Sequence, residues 1–558
     1  MEEFFSAPLG KKILLLGNEA LVRGALESGV NFVSTYPGTP ASEIGNIFSR
    51  IAKNNNIYFE FSTNEKIAME AGIGASFSGL KVLVAMKNFG LNVALDPLLP
   101  LAYTGTKGPM VIVTADDPNC WSSAQTEENT RGFAYLSHIP VLEPSDPQEC
   151  KDFIKLAYDI SERFNTPVII RTTTRVAHQT SPVILGNLIK NQKTGEFVKD
   201  MRRFVTMPPR VLEMKKELLE KIKKIGQFAE KSKINQIFSN KKKNAKVGII
   251  TSGVSFLHSM ESLQELNAEL PVLKLGFFYP LPEEAIKKFI KNLKKVLIVE
   301  ELEPFLEKEV ERLAKNVNPK LQIFGKKYLP EIGELRPEYV SNALAKMLGK
   351  KYALGSMYVI PSFKHLARFC PGCPYWSVFG TIKKAAPENT IFGGDIGCYM
   401  LAGLPPHMTQ DYLSCMGSSI GIAHGISKAT GQKIITVIGD STFFHSGIPS
   451  LVNAIFNKSA PLIIILDNQT TAMTGHQPHP GIGKTGMGEE TAQLKIEDIV
   501  QACGVKNLKI VDSMNVTDLE AAIKEYSAKD EVSVIIARHI CALLASRQIP
   551  SKPAAAKQ

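Results

Sequence analysis

Two short polar segments, Gly439–Asp440–Ser441 and Asp467–Asn468, hold side chains whose types could do chemistry together, with Asn468 28 positions after Asp440. Each follows an apolar run, Ile434–Ile438 before the first and Leu462–Leu466 before the second. Such runs read as buried parallel strands, with 450–458 as the helix between them. Both polar segments then emerge at the carboxyl ends of strands, where open α/β sheets bind ligands. The Asp440 carboxylate, the Asn468 amide oxygen and a nearby backbone carbonyl suit Mg²⁺, a hard ion that prefers oxygen and is often shared with phosphates. Gly-Asp and Asp-Asn are also common turn dipeptides, so two plain strand-end turns remain the alternative at this point.

Four of the eight cysteines form a second candidate set. Cys370 and Cys373 make a C-x-x-C, Cys398 follows after 24 intervening residues, and Cys541 after 142 more. A lone C-x-x-C is ambiguous among zinc, redox disulfide and iron–sulfur roles. Cys120, Cys150, Cys415 and Cys503 look scattered, and a small buried residue is the default for each.

The elements that must position these groups fall into three blocks. Residues 10–186 alternate apolar strands (Ile13–Leu16, Val82–Ala85, Met110–Thr114, Val168–Arg171) with helices. Residues 245–350 carry Lys246–Ser252, Val272–Leu275 and Lys295–Glu300, and residues 355–548 end on Val532–Ala537. All three read as doubly wound α/β units. A basic helical linker, 187–244, joins the first two, and 549–558 reads as a flexible tail. The net charge of +11 sits in this linker: 187–246 hold 17 Lys/Arg against 6 Asp/Glu. Lysines between helically spaced apolar residues, as in Leu212–Phe228, describe a solvated face, and no nucleic-acid motif accompanies them. Met1–Gly10 lacks a basic leader and no apolar stretch approaches a membrane span, so a cytoplasmic protein without membrane or nucleic-acid partners is expected. Disulfides are not expected in such a chain.

Read in order, further motifs carry a resemblance. They are Tyr36-Pro37-Gly38-Thr39-Pro40, Asn64-Glu65-Lys66-Ile67-Ala68, Met86–Asn92, Cys370-Pro371-Gly372-Cys373-Pro374, Gly394–Cys398, Cys415–Gly421, Gly439–His445 and Asp467–Gly475. In this set and order the chain resembles, over about 10–545, the alpha subunits of indolepyruvate:ferredoxin oxidoreductases, a thiamine-diphosphate-dependent family. The resemblance implies a pyrimidine-binding domain at 10–186, a transketolase C-terminal-like domain at 245–350 and a diphosphate-binding domain at 355–548. It implies oxidative decarboxylation of an aryl pyruvate such as indolepyruvate, with coenzyme A as acyl acceptor, ferredoxin as electron acceptor and a smaller beta subunit. A hetero-oligomer with two alpha subunits is expected.

Residue roles follow from the same resemblance. Glu65 is the expected carboxylate at the pyrimidine ring, with Glu70 as runner-up; five residues apart on a helix, they cannot both face one ligand. Asp440 and Asn468, with the Thr470 carbonyl, are the expected Mg²⁺ ligands. Cys415, Met416, Gly417, Gly439, Ser441, Met473 and Thr474 fall in the cofactor motifs. Thr39 would hydrogen-bond the keto acid, with Asn88 and Asn92 as weaker candidates, and His445 or His476 would handle protons. Cys370, Cys373, Cys398 and Cys541 are expected to ligate a [4Fe–4S] cluster, which four thiolates satisfy. The family's usual C-x-x-C-x-x-C domain does not follow Cys541, so electrons are expected to leave the proximal cluster for an external ferredoxin or another subunit. A non-oxidative 2-keto acid decarboxylase or acetolactate-synthase relative is the alternative, and a silent scaffold subunit the third; the cysteine set speaks against the first and Glu65, Asp440 and Asn468 against the second.

Overall fold

The computed structural model describes residues 8–189, 194–238, 245–352 and 367–548. The 549–558 tail, and parts of the basic linker, lie outside the described residues. The chain divides into two compact units, Met1–Met357 and Tyr358–Gln558.

The first unit holds strands β1 (Lys12–Leu16), β2 (Phe32–Thr35), β3 (Tyr58–Phe61), β4 (Val82–Lys87), β5 (Met110–Asp116), β6 (Val141–Leu142), β7 (Val168–Thr173) and β8 (Thr180–Ile184). It continues with β9 (Gln236–Phe238), β10 (Val247–Ser252), β11 (Val272–Leu275), β12 (Phe277–Tyr279), β13 (Lys295–Val299) and β14 (Gln322–Phe324). A seven-stranded sheet runs β12-β6-β7-β5-β4-β2-β3, a five-stranded sheet β14-β13-β10-β11-β9, and β1 pairs only with β8. Every residue of β5 is buried, as a central parallel strand covered on both faces requires. β12 comes from the second block yet joins the first block's sheet, antiparallel to β6. One apolar core accordingly mixes Met86, Ile112 and Ile169 with Ile250, Leu273 and Ile298.

In the basic segment a 22-residue helix, Arg210–Lys231, buries Met214, Leu218, Ile225 and Ala229. Lys216, Lys223 and Lys224 are exposed on its other side. The apolar stripe docks and the charge stays in water.

The second unit is one parallel sheet of β15 (Ile391–Gly393), β16 (Ile434–Gly439), β17 (Leu462–Asp467), β18 (Asn507–Asp512) and β19 (Ser533–Arg538), in the order β15-β16-β17-β19-β18. Alternate residues of β17 enter opposite cores: Leu462, Ile464 and Leu466 pack with the helix Tyr375–Ala385, while Ile463 and Ile465 pack with the helix Ile448–Phe456. Both faces are covered, and the carboxyl ends of β16 and β17, in register from Ile435–Leu462 to Gly439–Leu466, bring Asp440 level with Asp467 and one position short of Asn468.

Candidate active site

In the second unit Asp440 begins the turn after β16, and its carboxylate is buried. Oδ1 accepts from the Ser441 amide at 2.7 Å and Oδ2 from the Gln469 amide at 2.8 Å. The second bond ties the two strand-end turns together. His479 Nε2 stands 3.2 Å from the same Oδ2. Asn468 Oδ1 accepts from the Thr470 amide at 3.2 Å, and Thr471 Oγ1 donates to Ser441 Oγ at 2.9 Å. Asp467 lies one position earlier; burial and the Asp440 charge raise its pKa, against an ion pair with Arg538 at 2.6 Å. His445 lies buried in a π-helical turn, Phe443–Gly447, with Nδ1 3.0 Å from Ser446 Oγ. Such turns are rare and recur at functional sites. Ser446 Oγ in turn donates to the Met416 carbonyl at 3.0 Å.

Asp395 holds the floor of this site. Its carboxylate accepts from the amides of Gly417 at 2.7 Å and Ser419 at 2.9 Å, fixing the start of the helix Ser418–Thr430. Gly417 has φ +84, and a Cβ there would collide with Ser446 Oγ, so only glycine fits.

The cysteine elements attach to the same residues. The Cys541 amide donates to the Asn468 carbonyl at 3.1 Å, and Asn468 Nδ2 donates to Tyr375 Oη at 2.9 Å. Tyr375 begins the helix that follows the C-x-x-C. Cys398 opens the turn Cys398–Gly403, whose Tyr399 Oη donates to the Ile396 carbonyl at 2.8 Å and reaches Thr442 Oγ1 at 3.2 Å. Burial, then the charges of Cys373, Cys541 and Cys370, push the Cys398 thiol up to about 12. Burial and the charges of Cys370 and Cys541 push Cys373 up to about 11. Among the described residues no three His, Cys, Asp or Glu side chains converge on the position of a single ion.

The first unit, taken by itself, has a cluster at the carboxyl ends of β2, β3 and β4. Asn64 caps the helix Glu65–Phe77, its side chain accepting from the Ile67 amide at 2.9 Å. Glu65 is buried against Gly90; a Cβ there would stand 2.6 Å from Glu65 Cγ. Glu70, one and a half turns on, is a surface carboxylate 3.2 Å from Lys66 Nζ. The turn Tyr36–Pro40 follows β2, with Thr39 Oγ1 3.4 Å from Ser42 Oγ and the Thr39 carbonyl accepting from Ser122 Oγ at 3.3 Å. Asn88 is buried, its Nδ2 3.4 Å from the Glu128 carbonyl and its Oδ1 without a hydrogen-bond partner. Asn92 Nδ2 donates to Glu128 Oε2 at 2.6 Å. Burial pushes the Glu128 carboxyl up to about 7, although Asn92 opposes this.

Three family descriptions match the chain: "Pyruvate flavodoxin/ferredoxin oxidoreductase, thiamine diP-bdg" over 23–224, "Indolepyruvate oxidoreductase domain" over 237–357, and "Thiamine pyrophosphate enzyme, C-terminal TPP binding domain" over 395–537. Indolepyruvate oxidoreductase subunit IorA of Methanothermobacter thermautotrophicus is 43% identical, covering 100% of this chain and 91% of that protein. The same-named subunits of Pyrococcus horikoshii and Archaeoglobus fulgidus are 41% and 40% identical, each covering 96% of this chain and 86% and 88% of theirs. This chain belongs to the indolepyruvate oxidoreductase IorA family. It is an α/β oxidoreductase subunit built on thiamine-diphosphate-binding domains.

Set against that family's motifs, Asp440, Ser441, Asn468 and Thr470 meet at one end of the second unit's sheet. Met473 is half-exposed, Cys415 is exposed, and Thr474 Oγ1 bonds Gln477 Oε1 at 2.7 Å. Gly439 backs onto the Tyr399 ring. His476 has a buried Nδ1 without a partner, whereas His479 contacts Asp440. His479, Asp395 and Glu128 were not foreseen. The Gly394-Asp395 segment offered a signal for Asp395, but no spacing marked the other two.

Proposed function

We propose that this chain, with a smaller beta subunit, oxidatively decarboxylates aryl pyruvates, indolepyruvate foremost. One 2-oxo acid anion and coenzyme A yield an aryl-acetyl-coenzyme A, CO₂ and one proton, with two electrons passing to ferredoxin. The observation that carries the reading is the double tether of Asn468, whose carbonyl holds the Cys541 amide and whose side chain holds Tyr375 beside the C-x-x-C. It joins the cofactor-anchoring turn to the cysteine set, an arrangement for which a non-redox decarboxylase has no use. Thiamine diphosphate, when bound, supplies the electron sink for loss of CO₂.

The chain's own residues then have these tasks. The Asp440 carboxylate, Asn468 Oδ1 and the Thr470 carbonyl form an all-oxygen set that suits Mg²⁺ beside a diphosphate. Glu65 holds a proton at the pyrimidine ring, the Thr39 hydroxyl orients the keto acid, and His445 moves protons near the cofactor. Cys370, Cys373, Cys398 and Cys541 would supply the four thiolates of a [4Fe–4S] cluster, which would carry electrons away from the cofactor. We read 10–186 as a pyrimidine-binding domain and 355–548 as a diphosphate-binding domain, in a cytoplasmic hetero-oligomer.

Anaerobic assays of the complex with indolepyruvate, coenzyme A and ferredoxin test this. Reduction of ferredoxin that depends on both substrates is expected. Release of the aldehyde with no electron transfer would overturn the reading in favour of a simple decarboxylase.

A further inference from the structure

Lys87 ends β4 beside the Glu65 cluster. Its Nζ donates to the Ser122 carbonyl at 2.9 Å and lies 5.0 Å from the centre of the Phe89 ring. An ammonium has three donors, so two remain unused. Among the described residues no carboxylate reaches ion-pair distance; Asp117, Cys120 and Glu65 act on Lys87 only at longer range, against a burial that lowers its pKa to about 8. The bond from Lys87 Nζ to Ser122 lies at the exposed edge of the cluster, where the ammonium stays open to an incoming anion.

The surroundings are built to hold that ammonium in place. Asp117 is committed elsewhere: it accepts from Thr174 Oγ1 at 2.5 Å, the Ser122 amide at 2.8 Å and Ser123 Oγ at 2.6 Å. These bonds shape a loop in which Asn119 and Cys120 both take positive φ, +69° and +51°. Consecutive strained residues persist only where the structure enforces them, and they gather at ligand sites. The loop presents Ser122 twice, its carbonyl to Lys87 and its hydroxyl to Thr39. On the other side the Tyr36–Pro40 turn lies directly on the lysine, a Cβ at Gly38 falling 2.8 Å from Lys87 Cβ.

Topology supplies an independent argument. β2 and β4 are neighbours, with Thr35 opposite Ala85, while β3 lies beyond β2 and β5 beyond β4. The strand order therefore reverses between β2 and β4. Open α/β sheets bind ligands in the crevice at such a reversal, outside the carboxyl ends of the strands. Lys87 and Thr39 both come from there.

We propose that Lys87 binds the carboxylate of the 2-oxo acid and is thereby a specificity-determining residue. Two open donors on one ammonium match one carboxylate, and the Thr39 turn sits alongside. The inference rests on the 2-oxo acid reading of the preceding section.

The test uses the full complex, anaerobically loaded with its cofactors, carrying Lys87→Met or Lys87→Arg. Lys87→Met is expected to raise the KM for indolepyruvate on the order of 100-fold, leaving the KM for coenzyme A and thermal unfolding unchanged. Lys87→Arg is expected to recover most of that loss. An indolepyruvate KM within about threefold of wild type in Lys87→Met would overturn the proposal, as would equal rises for both substrates or no recovery with arginine. If Lys87→Met does not fold, Lys87→Gln carries the same comparison. A wild-type complex that turns over no aryl pyruvate would refute the functional reading, which separates the two failures.

Discussion

Glu65 and Glu70 share one helix but not one environment. Glu65 is folded against Gly90 out of water, and Glu70 sits at the surface with Lys66. Residue spacing could say only that one of them faces a ligand, and burial separates them. Glu65→Gln is expected to lower kcat on the order of 1,000-fold with unchanged thermal unfolding, since a positioned acid–base group contributes about that much. Glu70→Gln, which breaks only a surface pair, should stay within about twofold in the same ferredoxin-reduction assay. Glu128 offers a pH test. Its carboxyl titrates near 7 in the fold against an ordinary 4.5, so the fold favours its protonated form. The associated stability is complete below about pH 4.5 and is lost as pH rises through about 7. Glu128→Gln, neutral throughout, should melt above wild type at about pH 8 and together with it at about pH 4.5. Equal melting at the higher pH would contradict the burial argument. Glu128 escaped the sequence because its effect depends on a loop folding back over Asn88 and Asn92.

At the scale of elements, the long parallel strands were legible because burial on both faces demands unbroken Val, Ile and Leu. Met110–Thr114, Ile434–Ile438 and Leu462–Leu466 all fall within observed strands, and the helix expected at 450–458 spans Ile448–Phe456. Val141–Leu142 and Phe277–Tyr279 were not legible, for two or three residues carry no period. Their pairing nonetheless ties the second block to the first sheet. The strand expected at Ile13–Leu16 spans Lys12–Leu16, and its pairing outside the main sheet was not anticipated. Contact between the helix Glu65–Phe77 and the helix Asn88–Val93 depends on Gly90, where an added Cβ would also meet Met86 Cβ at 3.0 Å. Gly90→Ala should destabilise the fold by about 1–3 kcal/mol and displace Glu65, so kcat should fall further than stability alone explains. Denaturant unfolding alongside kinetics measures both. An alanine variant of wild-type activity would show that Glu65 does not need this seat.

At the scale of the molecule, the first unit is held by a buried ion network as well as by its apolar core. Arg131 grips Glu143 through two bonds of 2.7 Å and reaches Glu300 at 3.1 Å, while Arg171 binds Asp116 at 2.7 Å. Although burial opposes it, Arg131 and Arg171 hold the Glu143 carboxyl down at about 2. Arg131→Met would take from Glu143 its two-bond partner, leaving it Arg171 at 3.3 Å, and would leave Glu300 without its ion pair, at about 3–5 kcal/mol. A loss under about 1 kcal/mol in denaturant unfolding would mean that the network contributes little. No sequence period reveals such a network, since its members lie far apart along the chain. The cysteine quartet was visible as a count and a spacing, and the fold adds the bonds that tie Cys541 and Tyr375 to Asn468. Whether that quartet carries electrons is the central claim, and one comparison reaches it most directly: iron content and visible absorption of the anaerobically purified complex, wild type against Cys398→Ser. A brown wild type with about four irons per chain, bleached in Cys398→Ser, is the predicted result. A colourless, iron-free wild type that still decarboxylates indolepyruvate would contradict the account.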